Sequence, residues 1–221
     1  MTVRVLIVDD QNLIRSGLRS VLDAHEDIDV VAEAADGVEA LGAVQEHRPD
    51  VVIMDLHMPR IDGVAATIQL MRLEEPPRVL VLTTFNTDDV VIQALSAGAS
   101  GFLLKDVRSD ELVAAVRTIS AGGTAMSPEI MAKLIKRAGT RMPAGAHGLQ
   151  AKLDSLTDSE RDVLALIGSG LTNQQIADQL HLSLASVKTY VSRMLTRLGL
   201  DNRTQAAILA YEAGLVGGPG D

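Results

Sequence analysis

The sequence has no cysteine and no tryptophan, and only two phenylalanines and two tyrosines among its 221 residues. Without cysteine the chain can form neither a disulfide framework nor a thiolate metal site, as is typical of proteins in a reducing compartment. Long apolar runs are also lacking. None approaches the roughly 18 residues of a membrane helix, and the first run, Val3 to Val8, is too short for a signal peptide. These absences predict a soluble cytoplasmic protein.

The acidic excess is confined to the first part of the chain. Residues 1–125 carry 20 acidic and 10 basic side chains, whereas residues 126–221 carry 9 acidic and 10 basic ones. In a chain of this length, such an uneven distribution favours two domains that have different partners.

Short apolar segments alternate with helix-period segments through the first 120 residues. The apolar segments are typical of the central strands of a parallel sheet, which are buried on both faces. Strands are predicted at Arg4 to Val8, Val30 to Ala34, Val51 to Met54, Arg78 to Leu82 and Gly101 to Leu104. Helices are predicted at Leu13 to Leu22, Val38 to Glu46, Val64 to Arg72, Asp88 to Ala97 and Ser109 to Ser120. Right-handed crossovers between the strands would place the helices on both faces of the sheet. The pattern therefore predicts an α/β fold with a doubly wound five-stranded parallel sheet.

Polar residues follow four of these strands at the point where each strand ends. Asp9 and Asp10 follow the first strand, Asp55 the third, Thr83 the fourth and Lys105 the fifth. We expect these side chains to converge on one crevice, because the carboxyl ends of parallel strands lie along the same edge of a sheet. Three carboxylates require a cation, and Mg²⁺ prefers oxygen ligands. An ionised aspartate there can attack phosphorus, which predicts an aspartyl phosphate.

After Gly122-Gly123 the strand pattern ends. Ser127-Pro128-Glu129 predicts the start of a helix to about Arg137. Gly139 to Gln150 contains three glycines and a proline, which is typical of a flexible linker. The expected organisation is a first domain over residues 1–123, a linker helix and flexible linker over residues 124–152, and a second domain over residues 153–221.

Four helices are predicted in the second domain. Two capping boxes, Thr157 to Glu160 and Thr172 to Gln175, each mark a helix start. A third helix runs from Ser183 to Leu198 and a fourth from Thr204 to Ala213. From Ser183 to Arg203 there is one acidic residue, Asp201, against four basic ones: Lys188, Arg193, Arg197 and Arg203. A solvated helix face has such charges too, but the short helix, tight turn and longer basic helix favour a helix-turn-helix that binds DNA.

Residues 3 to 121 resemble the receiver domain of bacterial two-component response regulators. The matching stretches are Val5 to Asp10, Asp50 to Pro59, Leu82-Thr83 and Gly98 to Lys105. The resemblance implies a flavodoxin-like fold in which Asp55 is the phosphoacceptor. It implies that Mg²⁺ is held by Asp9, Asp10, Asp55 and the backbone carbonyl of His57. It also implies that the phosphoryl-binding and switch residues are Thr83, Phe102 and Lys105.

Residues 153 to 216 resemble the LuxR-type helix-turn-helix. The matching stretches are Leu156 to Leu164, Gly170 to Ala177, Ser186 to Val191 and Leu198 to Ala206. The resemblance implies that the residues facing DNA are Lys188, Thr189 and Ser192, with Arg193 and Thr172 at phosphates. The sequence departs from the family at Leu184, Ser186 and Tyr190, where Glu, Thr and His are common.

With both domains matched, the chain as a whole resembles a response regulator of the NarL/FixJ type. Such a protein is a transcription factor and not an enzyme, apart from promoting its own phosphorylation and dephosphorylation. The resemblance implies a sensor histidine kinase, pseudo-palindromic double-stranded DNA and RNA polymerase as partners, and a homodimer when Asp55 is phosphorylated. Small residues on the final helix predict dimer contacts at Thr204, Ala207 and Tyr211. Packing of this face against its own domain is the alternative.

Two other functions are weighed against this one. A magnesium-dependent phosphohydrolase can use a strand-end aspartate nucleophile. Such enzymes usually have Asp-x-Asp after the first strand, whereas this chain has Asp9-Asp10-Gln11. A regulator controlled by ligand or protein binding to an unphosphorylated receiver is the third class. The presence of all five strand-end residues argues against it.

Overall fold

The computed structural model describes residues 2–84, 88–126 and 152–216, and the chain divides into two compact units, Met1–Ser120 and Ala121–Asp221. The first unit alternates strands with helices, as the sequence predicts. Its strands are β1 (Val3–Val8), β2 (Ile28–Ala34), β3 (Val51–Met54), β4 (Arg78–Thr83) and β5 (Gly101–Leu104). Its helices are α1 (Asn12–Leu22), α2 (Gly37–His47), α3 (Gly63–Leu70), α4 (Asp88–Ser96) and α5 (Ser109–Ser120).

The strand pairing confirms the predicted doubly wound sheet. The four pairs among these five strands are parallel: β1 lies between β2 and β3, β3 pairs with β4, and β4 pairs with β5. Helix α1 contacts α5, while α2 contacts α3 and α3 contacts α4, so the helices form two layers. The strand order reverses at β1 and β3. Ligands bind beyond the carboxyl ends of the strands at such a reversal, which is where Asp9 and Asp55 lie.

Gly63 begins α3 directly against the loop that follows β3. A side chain at this position would collide with the backbone carbonyl oxygen of Asp55. The absence of a Cβ therefore allows α3 to approach the end of β3. The backbone N–H of Gly63 donates to the carbonyl of Leu56 at 3.1 Å, which fixes this approach.

We expect Gly63→Ala to lower the free energy of unfolding by about 1 to 3 kcal/mol, because the added methyl group would collide with backbone atoms of Asp55 and Leu56. Gly42→Ala is the matched control. Gly42 lies inside α2, and a Cβ there would meet nothing within 4 Å. That change should raise the free energy by about 0.5 to 1 kcal/mol through helix propensity. Urea unfolding of both variants measures the contrast, and equal effects would contradict the close approach at Gly63.

The second unit contains four described helices that follow the predicted pattern. They are α6 (Asp158–Gly168), α7 (Asn173–Leu180), α8 (Leu184–Leu198) and α9 (Arg203–Glu212). Both predicted capping boxes are present, since the hydroxyl of each N-cap threonine accepts a backbone N–H three residues later. Their core includes Val163, Ile176, Val187 and Met194. The sheet has a sixth strand, the two-residue β6 (Ala125–Met126) next to β5, which was not predicted. The predicted linker helix and flexible linker lie outside the described residues.

Helix α9 uses its small-residue face inside its own domain. Ala206, Ala207 and Ala210 are fully buried in the core, and Thr204 is 2% exposed. Helix α9 packs against α6, where Gly168 leaves room for Ala210. The burial of Thr204 and Ala207 supports packing within their own domain, the alternative to dimer contacts, and their role in a dimer stays a prediction. Of the three predicted residues, only Tyr211 is partly exposed.

Candidate functional site

Three carboxylates meet beyond the carboxyl ends of the central strands. Asp9 and Asp10 follow β1 and Asp55 follows β3, and carboxylate oxygens of the three lie within 4.8 Å of one another. Asp9 is 2% exposed and Asp55 is 4% exposed, whereas Asp10 is exposed. Neighbouring strands fix the positions: the N–H of Asp9 donates to β2, and the N–H of Asp55 donates to β1. The cluster therefore combines two rigid buried acids with one that solvent can reach.

Lys105 joins the two buried carboxylates. Its Nζ lies 2.6 Å from Oδ2 of Asp9 and 3.0 Å from Oδ2 of Asp55. Burial opposes the charged form, but the hydrogen bonds and charges of the two aspartates outweigh it and raise the pKa of Lys105 above its usual value. The ammonium is thus held at the oxygens that a phosphoryl group would approach.

Thr83 and Phe102 lie on adjacent strands, Thr83 at the carboxyl edge of the sheet and Phe102 two residues before the end of its strand. Thr83 ends β4 and is fully buried, and its carbonyl accepts the backbone N–H of Lys105 at 2.9 Å. Phe102 on β5 is also fully buried and lies opposite Val81. His57 is exposed, two residues after Asp55 in the loop between β3 and α3. The structure thus brings every strand-end residue of the predicted site to the carboxyl edge of the sheet.

Arg60 holds the β3–α3 loop to the start of α2. Its guanidinium pairs with the buried carboxylate of Asp36 and, at 2.8 Å, with Glu39. Burial opposes the charge of Asp36, but hydrogen bonds from the N–H groups of Glu39 and Val38, together with Arg60, outweigh it and hold its pKa below the usual value. Sequence reasoning missed Arg60, because no local pattern shows which distant acid a loop arginine will meet.

Arg15 is a second residue that sequence reasoning missed. Its Nη1 donates to the backbone carbonyl of Asp9 at 2.7 Å, and its Nη2 donates to the side chain of Asn12 at 3.0 Å. Its Nε lies 3.3 Å from Glu33. One guanidinium on α1 therefore orients the turn that carries the first two carboxylates.

The cluster fits a divalent cation that prefers oxygen ligands. Three carboxylates and a single ammonium leave the crevice negative, and all three acids can turn an oxygen to a common point. This donor set contains neither nitrogen nor sulfur, which favours Mg²⁺ over softer metals.

Helix α8 presents a polar face to solvent. Four of the residues predicted to contact DNA are exposed along it: Lys188, Thr189, Ser192 and Arg193. Among the described residues, no carboxylate lies within ion-pair distance of Lys188 or Arg193. Both cations are therefore available to an external anion such as a DNA phosphate.

Two other basic residues of the predicted patch act within the domain. Arg197 donates to the carbonyl of Ser155 at 2.8 Å and to the buried carboxylate of Glu160 at 3.0 Å. Arg203 binds the carbonyl of Leu171 and the side chain of Asn173. These arginines tie α8 and α9 to the starts of α6 and α7, which corrects the interpretation of all four basic residues as one DNA-binding patch.

Thr172 also has a structural role. It is 7% exposed, and its hydroxyl accepts the backbone N–H of Gln175 at 3.2 Å as the N-cap of α7. Its backbone N–H donates to the side chain of Gln175. A contact between the Thr172 hydroxyl and a DNA phosphate, as predicted, would therefore compete with the hydrogen bond that caps α7.

No helix in the described part of the chain is long and apolar enough to cross a membrane.

Residues 5–117 match the family described as response regulator receiver domain, and residues 154–210 match that described as bacterial regulatory proteins, luxR family. The chain is 39% identical over 219 residues to the DNA-binding transcriptional activator DevR/DosR of Mycobacterium tuberculosis, spanning 99% of each protein. It is 39% identical over 217 residues to the response regulator VraR of Staphylococcus aureus, spanning 98% of this chain and 100% of VraR. Among solved structures, the response regulator ChrA of a heme-sensing two-component system has a sequence 36% identical to this chain. The two structures superpose with a TM-score of 0.53 over 97% of this chain and 98% of ChrA.

Proposed function

Because the chain belongs to the two-component response regulators, with a receiver domain and a LuxR-type DNA-binding domain that regulates transcription, we propose that phosphorylation of Asp55 by a sensor histidine kinase controls its binding to DNA. One observation carries the proposal. A buried aspartate shares an ammonium with a second buried aspartate at the reversal point of the sheet. Paired carboxylates with a fixed cation match phosphoryl transfer, in which positioning and charge stabilisation provide most of the catalysis.

The two oxygens of Asp55 have different surroundings. Oδ1 accepts the backbone N–H of Leu56 at 2.8 Å, while Oδ2 meets Lys105 at 3.0 Å. We infer that Oδ2 attacks phosphorus as the bond from phosphorus to the histidine nitrogen of the kinase breaks and the histidine leaves. Lys105 then binds an oxygen of the transferred group. The hydroxyl of Thr83 would move to bind another oxygen of the phosphoryl group. The side chain of Phe102, on the neighbouring strand, would change its burial in response to this movement of Thr83.

Mg²⁺ would be held by Asp9, Asp10, Asp55 and the backbone carbonyl of His57. When bound, it supplies positive charge to the phosphoryl oxygens. Asp9 is itself held in place, because Arg15 donates to its backbone carbonyl and its Oδ1 accepts the N–H of Gln11 at 2.9 Å.

Arg15→Ala is expected to weaken Mg²⁺ binding by up to about tenfold, because partners of metal ligands set the orientation of those ligands. Arg19→Ala is the matched control. Arg19 pairs with the same Glu33, at 2.6 Å, but its side chain donates to Val30 and not to Asp9. Isothermal titration with Mg²⁺ compares the two variants. Equal loss in both would show that the charge near Glu33, and not the hold on Asp9, sets the affinity.

On the DNA side, we infer that α8 enters the major groove. By family resemblance, Lys188, Thr189 and Ser192 would face the DNA and Arg193 a phosphate. Residues near the start of a recognition helix contact base edges, which favours Lys188 as a base contact. One such module buries little DNA, so specific binding requires two copies on pseudo-palindromic half-sites. Tyr211 is partly exposed, which supports it as a candidate dimer contact.

DNA binding with and without acetyl phosphate and Mg²⁺ tests the whole proposal. We expect the phosphorylated chain to sediment as a dimer and to bind a selected DNA site at least tenfold more tightly than the untreated chain. Asp55→Asn should abolish the difference in both measurements. Identical affinity and mass before and after phosphorylation would favour a regulator controlled by ligand or protein binding. Multiple-turnover hydrolysis of an external phosphomonoester would favour the phosphohydrolase.

A further inference from the structure

Leu184 is an apolar side chain exposed where polar residues are usual. Only four large apolar side chains are exposed in the described parts of the chain: Leu13, Val38, Ile68 and Leu184. Of these, Leu184 alone lies in the DNA-binding unit. It is 38% exposed, and it belongs neither to the core of that unit nor to the apolar side chains packed against the core. More than a third of its side chain is therefore open to a partner outside the domain.

Its position places Leu184 beside a predicted base contact. It is the first residue of α8 and precedes Lys188 by four residues. Residues four apart lie on the same face of a helix, so Leu184 shares the face of Lys188 and is one turn nearer the N-terminus. The N-terminal residues of a recognition helix are those that contact base edges.

The hydroxyl groups around Leu184 are engaged within the protein. The hydroxyls of Ser183 and Ser186 lie 2.8 Å apart, and that of Ser183 also accepts the backbone N–H of Ser186. The hydroxyl of Thr189 donates to the carbonyl of Ala185 at 2.9 Å. The first turns of α8 thus use their hydroxyls to stabilise the helix. The exposed side chains in the turn before Lys188 include two apolar ones, Leu184 and Ala185.

We propose that Leu184 makes this chain select thymine at one position of each half-site, next to the base that Lys188 contacts. The C5-methyl of thymine is the apolar group that the major groove presents, and apolar side chains recognise it by contact. This inference rests on the proposed function, since it requires α8 to lie in the major groove. The partner is double-stranded DNA whose half-site contains a thymine methyl group facing the start of α8.

The test uses the full-length chain treated with acetyl phosphate and Mg²⁺. A preferred site is first selected from randomised double-stranded DNA, and each thymine in it is then replaced by uracil, which removes only the methyl group. For the wild-type chain we expect about a fourfold loss of affinity at one thymine per half-site. That loss corresponds to the ~0.8 kcal/mol of one buried methyl-sized group.

Two variants separate the methyl contact from a general effect. Leu184→Ala should bind the thymine site more weakly and become insensitive to uracil, whereas Leu184→Met keeps an apolar side chain and should retain the sensitivity. Thermal unfolding confirms that both variants remain folded. An equal uracil effect in wild type and Leu184→Ala would overturn the inference, as would a selected site without a uracil-sensitive thymine. If the wild-type chain selects no preferred sequence, the proposed function itself fails.

Discussion

Phosphoryl uptake from acetyl phosphate is expected to disappear entirely when Asp55 is replaced by Asn. The amide lacks the negative charge that attacks phosphorus, and it no longer balances the ammonium of Lys105, 3.0 Å away. Intact mass spectrometry after incubation with Mg²⁺ and acetyl phosphate should show one added phosphoryl group on the wild-type chain and none on Asp55→Asn.

Asp50→Asn is the matched control for this experiment. Asp50 immediately precedes β3, whereas Asp55 immediately follows it, so the two acids lie at opposite ends of the same strand. Asp50 is exposed and accepts the backbone N–H of Arg4 at 2.8 Å. Its variant should be labelled like the wild type. Undiminished labelling of Asp55→Asn would instead move the acceptor to Asp9 or Asp10, and labelling unaffected by a chelator would remove Mg²⁺ from the reaction.

Lys188→Ala is expected to weaken specific DNA binding by about 1 to 3 kcal/mol and to flatten base preference at one position of each half-site. The structure supports this, because Lys188 is exposed on the second turn of α8 and the described residues offer it no ion pair. Competition binding against a library of single-base variants measures both the affinity and the preference.

Arg193→Ala gives the contrasting result. Arg193 is exposed farther along α8, and as a phosphate contact its loss should weaken binding about equally for every sequence and reduce the salt dependence. If Lys188→Ala shows the same uniform weakening, Lys188 is also a phosphate contact. If neither variant changes binding, α8 is not the recognition helix.

The sequence by itself determined the secondary structure and the candidate phosphoacceptor. β3, β5 and α5 begin and end at the predicted residues, and the other elements of the first unit differ by at most two residues at either end. This accuracy has a local cause: central strands must be apolar on both faces, and capping boxes satisfy the first N–H groups of a helix from within four residues. Parallel strands also have one carboxyl edge, so residues that follow strands must converge.

Only the tertiary structure decided the roles of residues whose partners are distant in sequence. Arg197 and Arg203 are basic residues like Lys188 in the sequence, but they bind carbonyls, a carboxylate and an amide side chain of their own domain. Arg15 and Arg60 have no local signal, yet they hold the loops that carry the carboxylates. The charge of an arginine is a local property, whereas its partner depends on which loops the fold brings within a few ångströms.

The small-residue face of α9 was decided in the same way. Alanine suits close packing equally well against a second copy or against a helix of the same domain, so the sequence left both interpretations open. The fold places α6 against that face and buries Ala207 completely. At Leu184 the reverse holds: an apolar residue at a helix start would usually be buried, but the fold leaves this side chain 38% exposed. Burial is a property of the assembled surfaces, and for this reason the pattern of residue types alone did not determine it.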